Sequence, residues 1–255
     1  MKVVILAGGF GTRISEESAI RPKPLVEIGG RPILWHIMKL YGACGFNDFV
    51  ICLGYKGYLI KEFFSNYYLH SSDVTFDIAA NEMTVHESVA EPWKVTLVDT
   101  GEATMTGGRM KRIANYLNNE AFCMTYGDGV ASVDIADLVR FHKAQRSLAT
   151  VTVIQPPGRF GAVDVVDRRV VKFREKPAGD NAWISGGFFV LEPRVLDLVT
   201  DDTTVWEAGP MERLAAMGEL SAYYHDGFWH ALDTLRDKNI LEDLWKSCAA
   251  PWKRW

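Results

Sequence analysis

The first residues able to do chemistry together are Gly8-Gly9-Phe10-Gly11-Thr12-Arg13, directly after the apolar run Val3–Ala7, and Lys23, set between Pro22 and Pro24. Glycines after a buried strand let the main chain close on a ligand, and free N–H groups leading into a helix suit phosphate oxygens. The two prolines are expected to hold Lys23 extended and out of any helix. A guanidinium, an ammonium and a hydroxyl gathered there fit a polyphosphate, in particular a nucleoside triphosphate whose pyrophosphate leaves. A surface turn with solvated charges is the plainer reading of the glycines and prolines, but it does not account for both motifs at once. The nucleotide-facing set is therefore Leu6, Ala7, Gly8, Gly9, Gly11, Thr12, Arg13 and Lys23.

Two other phosphate loops fail here. Walker A requires Gly-Lys-Ser/Thr after a four-residue spacer, and the third glycine of the dinucleotide fingerprint would fall at Ile14. An NTPase or a Rossmann dehydrogenase is disfavoured.

Transfer between two anions calls for a divalent cation on a few carboxylates, so isolated aspartates at strand ends matter. Asp128 lies between Gly127 and Gly129 after the apolar "FCMTY", and Asp233 lies in "FWHALDTLRDK" where a strand gives way to a helix. Local sequence leaves a plain turn open for the first and a helix N-cap for the second. Glu175-Lys176-Pro177 offers a carboxylate to ring hydroxyls and an ammonium to a sugar phosphate, with a surface ion pair as the alternative. The six histidines show no metal-ligand spacing and no serine or cysteine partner, and are read as structural or surface residues.

These positions need a scaffold. Apolar, β-branched runs at Val3–Ala7, Phe49–Leu53, Val95–Val98, Phe122–Tyr126, Ala149–Ile154 and Phe188–Leu191 alternate with helical patterns. Helices are expected at Ile33–Tyr41 with Pro32 as first helical residue, at Gly108–Leu117 capped by Thr106, at Ala136–Gln145, at Met211–Met217 and after Thr234. The fold class that follows is α/β, Rossmann-like, a mostly parallel sheet with helices on both faces. "GRFGAVDVVDRRVVKFREKP" reads as a hairpin turned at Asp167–Arg169, expected to add antiparallel strands to the core sheet. With no linker or repeat, residues 1–255 read as one domain, with the substrate-specific part after about residue 150.

Composition narrows the class further. A formal net charge of -4, with no Lys/Arg block, gives a nucleic-acid backbone nothing to bind. Val3–Ala7 is too short for a signal-peptide core and no run could span a bilayer, so a cytoplasmic protein with no membrane partner is expected. Cys44, Cys52, Cys123 and Cys248 form no C-x-x-C pair and read as reduced, structural thiols.

"LAGGFGTR" with "RPKPLVEIGGRPILWHI" resembles the sugar-1-phosphate nucleotidyltransferases. "VDTG", "MTGGRMKR", "TYGDGV", "PPGRFGA", "EKP", "GGFFVLEP" and "DTLRDK", in order over essentially the whole chain, are similar to the glucose-1-phosphate cytidylyltransferase branch. The resemblance implies a GT-A-like form of the fold, Mg²⁺ on Asp128 and Asp233, and CTP and glucose 1-phosphate as substrates. It makes Arg13, Lys23, Asp128 and Asp233 catalytic, and places Tyr126, Glu175, Lys176, Gly186, Gly187 and Trp229 on the sugar side, Trp229 having core packing as its alternative. Cytosine needs donors for O2 and N3 and an acceptor for N4. Thr104–Arg109 offers hydroxyls, helix-start N–H groups and a guanidinium; Thr104, Arg109 and Gly127 complete the nucleotide set, with phosphate or a neighbouring subunit as alternatives for Arg109. A homo-oligomer, hexameric by kinship, and deoxysugar synthesis for surface polysaccharide or a glycosylated metabolite are also implied. Another nucleotide or acceptor on the same fold, or an inactive nucleotide-sensing subunit, are the rival readings.

Overall fold

The computed structural model of the protein describes residues 1–11, 20–156, 162–174 and 183–255. Thr12, Arg13, Glu175 and Lys176 lie outside the described residues.

Seven strands form the central sheet. In chain order they are β1 (Val3–Leu6), β4 (Asp48–Leu53), β7 (Lys94–Asp99), β8 (Phe122–Tyr126), β10 (Ala149–Ile154), β13 (Ile184–Leu191) and β14 (Leu220–His225). Across the sheet they run β14-β10-β13-β8-β1-β4-β7. All described neighbours are parallel except β13, which is antiparallel to both β10 and β8. β1 explains the continuous apolar runs: Val3 and Ile5 enter the core on one face, Val4 and Leu6 the core on the other. The Ile33–Ala43 helix covers the first face, and Met110 and Trp206 pack on the second.

Small two-stranded sheets complete the intervening labels: β2 (Glu27–Ile28) with β3 (Arg31–Pro32), β5 (Ser72–Asp77) with β6 (Glu82–Ser88), β9 (Gly129–Ala131) with β15 (Trp229–Ala231), and β11 (Ala162–Val166) with β12 (Arg169–Arg174). The β11–β12 hairpin corrects one expectation. It turns at Asp167 and Arg168, both at positive φ, but forms its own sheet; the antiparallel strand in the core sheet is β13. β5 and β6 form a hairpin whose side chains are mostly exposed.

Three local expectations also change. Pro32 is not the first helical residue: it pairs with Glu27 in β3 and caps the Ile33–Ala43 helix from outside, at ψ 144. Thr106 is not a cap but the first residue of the Thr106–Arg112 helix, after Met105. Lys23 is not extended but opens a 3-10 turn, Lys23–Leu25, closed by Leu25 N–H to Pro22 O at 2.8 Å. Proline's fixed φ suits a first turn as well as an extended chain, so Pro24 starts the turn instead of preventing it. Among the described residues no helix is long and apolar enough to cross a membrane.

Candidate active site

β1 is the point where the strand order reverses, with β4 on one side and β8 on the other. A parallel sheet leaves a crevice there, beyond the carboxyl ends of its strands. The loops leaving those ends are stitched together: Gly127 N–H donates to Leu6 O at 2.9 Å, Ala7 N–H to Cys52 O at 3.0 Å and Tyr55 N–H to Gly8 O at 3.2 Å. The crevice holds a chamber of about 370 Å³ lined by Leu6, Ala7, Gly8, Gly9, Gly11 and Lys23 on one side, and by Thr104, Arg109 and Gly127 on the other. A second chamber, about 440 Å³, is lined by Gly186, Gly187, Glu207 and Trp229. Tyr126, Asp128 and Asp233 line both.

Asp128 and Asp233 are far apart in sequence and are brought together by main chain. β9 follows Asp128 and β15 precedes Asp233; they pair with Ala231 opposite Gly129, and Leu232 N–H donates to Asp128 O at 2.8 Å. The Lys23 ammonium lies between the two carboxylates, 2.6 Å from Asp128 Oδ2 and 2.8 Å from Asp233 Oδ1. Burial opposes the charge on Lys23, but the carboxylates, Asp128 first, outweigh it and raise its pKa above the ordinary lysine value. The ammonium is therefore charged at neutral pH.

Asp237 stands behind Asp233. Its Oδ2 accepts from the amides of Asp233 (3.2 Å) and Thr234 (2.8 Å), and Thr234 Oγ1 accepts from Asp237 N–H, making a capping box at the start of the Leu235–Lys246 helix. His230 Nε2 meets Asp237 Oδ1 at 3.0 Å. Burial opposes ionisation of Asp237, but Thr234 and His230 outweigh it and hold the carboxyl below its usual range. The sequence marks a helix after Thr234, but the role of Asp237 went unread, although Thr234-x-x-Asp237 is a legible capping signature.

Arg109, offered to the base with phosphate or a neighbouring subunit as alternatives, lines the first chamber. Its guanidinium is spent on the protein: Nη1 donates to Leu53 O (2.9 Å), Thr100 Oγ1 (2.8 Å) and Gly101 O (2.7 Å), and Nη2 to Gly8 O (3.0 Å) and Glu102 O (3.1 Å). Gly8 is required by this packing, since a Cβ there would lie 2.2 Å from Nη1. The helix-start N–H groups offered to cytosine are also engaged: Gly107 and Gly108 donate to Thr204 O, and Met105 to Asp202 O. From that segment Thr104 and Arg109 line the first chamber along with Met105 and Thr106, and the Thr106 hydroxyl donates to Glu207 Oε2 at 2.7 Å.

Glu207 had no sequence signal. Its other oxygen accepts from the Tyr126 hydroxyl, so it ties the helix start to the wall between the chambers. Burial, with Glu207 beside it, pushes the Tyr126 hydroxyl above its ordinary pKa and keeps it a donor. Trp229 lines the second chamber and packs against the core, and its indole N–H donates to Gly186 O at 2.7 Å. Gly187, at φ +76, admits the Tyr126 ring where a Cβ would sit 2.7 Å away.

The donor set fits a hard divalent cation. Two carboxylates already share one cation through oxygen, and magnesium takes one or two such ligands while phosphate and water complete its shell. No group of three or more His, Cys, Asp or Glu that could hold a metal occurs among the described residues. A metal here would thus rely on substrate oxygens.

The nucleotidyl transferase family model matches residues 2–223. The chain is 60% identical to the glucose-1-phosphate cytidylyltransferase of Salmonella typhi, over 100% of both chains, and equally to that of Salmonella typhimurium. It is 27% identical to a mannose-1-phosphate guanyltransferase of Yarrowia lipolytica, over 94% of this chain and 62% of the relative. Among solved structures, HddC from Yersinia pseudotuberculosis superposes with a TM-score of 0.70 at 22% identity, covering 96% of this chain and 99% of that one, a likeness of fold. Identity this high along the entire length places the crevice on a known branch: the chain belongs to the nucleotidyl transferase family, among its glucose-1-phosphate cytidylyltransferases.

Proposed function

We propose that the crevice transfers CMP from CTP to α-D-glucose 1-phosphate, giving CDP-glucose and pyrophosphate. The observation that carries this reading is the pair of chambers meeting at Asp128, Asp233 and Tyr126. A two-substrate transfer needs a place for each substrate and one shared wall where the reacting atoms meet. The nucleotide belongs against the glycine loop and Thr104, and the sugar phosphate against Gly186, Gly187 and Trp229. In this reading residues 1–150 mainly hold nucleotide and 151–255 mainly hold sugar phosphate.

A phosphate oxygen of the sugar phosphate attacks the α-phosphorus of CTP in line; a new O–P bond forms while the bond to the bridging oxygen breaks, and pyrophosphate leaves with that electron pair. An ionised phosphate is already a nucleophile, so no general base is assigned. The work left to the protein is positioning and charge. Lys23 supplies positive charge at the wall both chambers share, Glu207 fixes the Tyr126 hydroxyl, and Arg109 holds the loop that carries Gly8. Arg13, with Thr12, is assigned to the departing pyrophosphate, and Glu175 and Lys176 to the sugar phosphate, on family resemblance; they lie outside the described residues. Enzymes of this family generally use a divalent metal. Here Asp128 and Asp233 would hold Mg²⁺, which draws charge from phosphate oxygens when bound. A cytoplasmic homo-oligomer, hexameric as kinship implies, belongs to the same reading, and light scattering tests the assembly.

The deciding experiment measures pyrophosphate release with CTP, UTP, dTTP, ATP and GTP, each against glucose 1-phosphate and other phosphates, with and without Mg²⁺. Turnover dependent on Mg²⁺ and confined to CTP with glucose 1-phosphate is the expected result. Turnover with another pair would discard the specificity, and silence with nucleotide still bound would make the protein a nucleotide sensor.

A further inference from the structure

We infer that Lys23 and a divalent metal exclude each other from the Asp128–Asp233 pair, so that the metal enters only when nucleotide phosphates draw the ammonium away. The inference rests on the metal assignment above and concerns the order in which the charges arrive.

The Lys23 ammonium lies 2.6 Å from Asp128 Oδ2 and 2.8 Å from Asp233 Oδ1. Magnesium takes carboxylate oxygens at about 2.0–2.1 Å. An ion bound to these same two oxygens would lie within contact distance of the ammonium, with two like charges and little water between them. The lysine side chain is only 11% exposed, and its main chain is fixed in the Lys23–Leu25 turn. It cannot drift into solvent without giving up both ion pairs and leaving two partly buried carboxylates facing each other without its charge. Metal binding therefore requires the ammonium to swing to another anion.

The chamber supplies the place for that anion. Lys23 and the glycines of the loop, Gly8, Gly9 and Gly11, line the same cavity, so a triphosphate held by the loop lies within the reach of a lysine. The exchange then balances: the nucleotide brings negative charge for Lys23, and the vacated carboxylates take the metal. Because linkage is reciprocal, nucleotide must strengthen metal binding by the same factor that metal strengthens nucleotide binding. Lys23 thus has a second task besides phosphate contact, that of keeping metal and nucleotide arrival coupled.

The test is direct Mn²⁺ binding followed by water-proton relaxation, which separates protein-bound from nucleotide-bound ion, on the whole protein without sugar phosphate so that nothing turns over. For the wild type, CTP is expected to tighten Mn²⁺ binding by about 5- to 150-fold, the usual range of coupling between sites. Lys23→Met, with Lys23→Gln as a second variant, is expected to bind Mn²⁺ more tightly than wild type in the absence of CTP and to lose most of the response to CTP. Equal Mn²⁺ affinity of wild type with and without CTP overturns the inference without any variant. Variants that bind Mn²⁺ no better than wild type overturn it too, while loss of binding in Asp128→Asn keeps the metal assignment. If Asp128→Asn holds Mn²⁺ as wild type does, the metal assignment itself falls, and the exchange with it.

Discussion

An arginine lining the chamber beside the glycine loop invites reading as a ligand contact, yet Arg109 works as a brace. Its donors reach Gly8 after β1, Leu53 at the end of β4, and the Thr100–Glu102 loop after β7, three separate strand ends. Burial pulls its pKa below the ordinary arginine value, but a guanidinium remains charged. Arg109→Met should cost about 3 kcal/mol: the Gly8 and Leu53 carbonyls keep other donors, but those of Gly101 and Glu102 lose the guanidinium, and a buried acceptor left unsatisfied costs about 1–3 kcal/mol. KM for CTP should rise as the loop carrying Gly8 loosens. Arg109→Lys should restore little, because one ammonium cannot span acceptors on three loops. Denaturant unfolding and steady-state kinetics check both points; a stable variant with a normal KM would remove the brace. Asp128→Asn, in contrast, should leave the fold intact and lower turnover by about 10²–10³-fold, and near-normal turnover at saturating Mg²⁺ would take Asp128 out of the mechanism.

At the scale of elements, the carboxylate pair depends on the β9–β15 ladder and on the capping box of the Leu235–Lys246 helix. The box lets one prediction separate stability from positioning. Thr234→Ala removes a cap worth about 1 kcal/mol but leaves Asp237 to receive the Asp233 amide. Asp237→Ala keeps the main-chain cap bond to Thr234 Oγ1 but removes the carboxylate that accepts from the Thr234 and Asp233 amides, and with it that anchor. Both variants should lose comparable stability, and Asp237→Ala alone should lose most of its kcat; equal kcat in the two would make Asp237 only a cap. The same elements show what the sequence made legible. β1, β4 and β8 could be read because buried parallel strands are continuous apolar runs, and the glycine loop followed from where β1 ends. The hairpin β11–β12 could be read from its turn but not its place, because period-2 patterning does not say which sheet a strand joins. Lys23, Asp128 and Asp233 stood out by type and local motif, but that one ammonium bridges both carboxylates is a product of tertiary packing. Glu207 and Thr106 meet across a separation of 101 residues, and neither has a local pattern that would announce it.

At the scale of the whole molecule, the Ile33–Ala43 helix and the C-terminal tail close on each other. The tryptophan-rich tail packs on its own domain: Trp252 is 1% exposed and stacks on Phe228 and Trp245. His36, in the Ile33–Ala43 helix, sits among Trp35, Trp245, Trp252 and Trp255. Its partners fix its form: Nε2 faces the Ile28 carbonyl at 2.8 Å and must donate, while Nδ1 faces the Trp252 indole N–H at 3.3 Å and must accept. Only the neutral ring satisfies both, and burial lowers its pKa from 6.5 to about 4. A depressed histidine gives its full stabilisation above the unfolded pKa of 6.5 and loses it as pH falls toward 4, because over that interval the unfolded chain binds the proton and the folded one refuses it. Between pH 7.5 and pH 5 the loss should be about 2 kcal/mol, at 1.36 kcal/mol per pKa unit, in a range where most carboxylates have not begun to protonate. His36→Gln keeps a donor and an acceptor without the titration. It should be less stable than wild type at pH 7.5 and markedly flatter across that interval in denaturant unfolding. Parallel pH profiles for the two proteins would show that the clasp between helix and tail does not depend on a neutral His36.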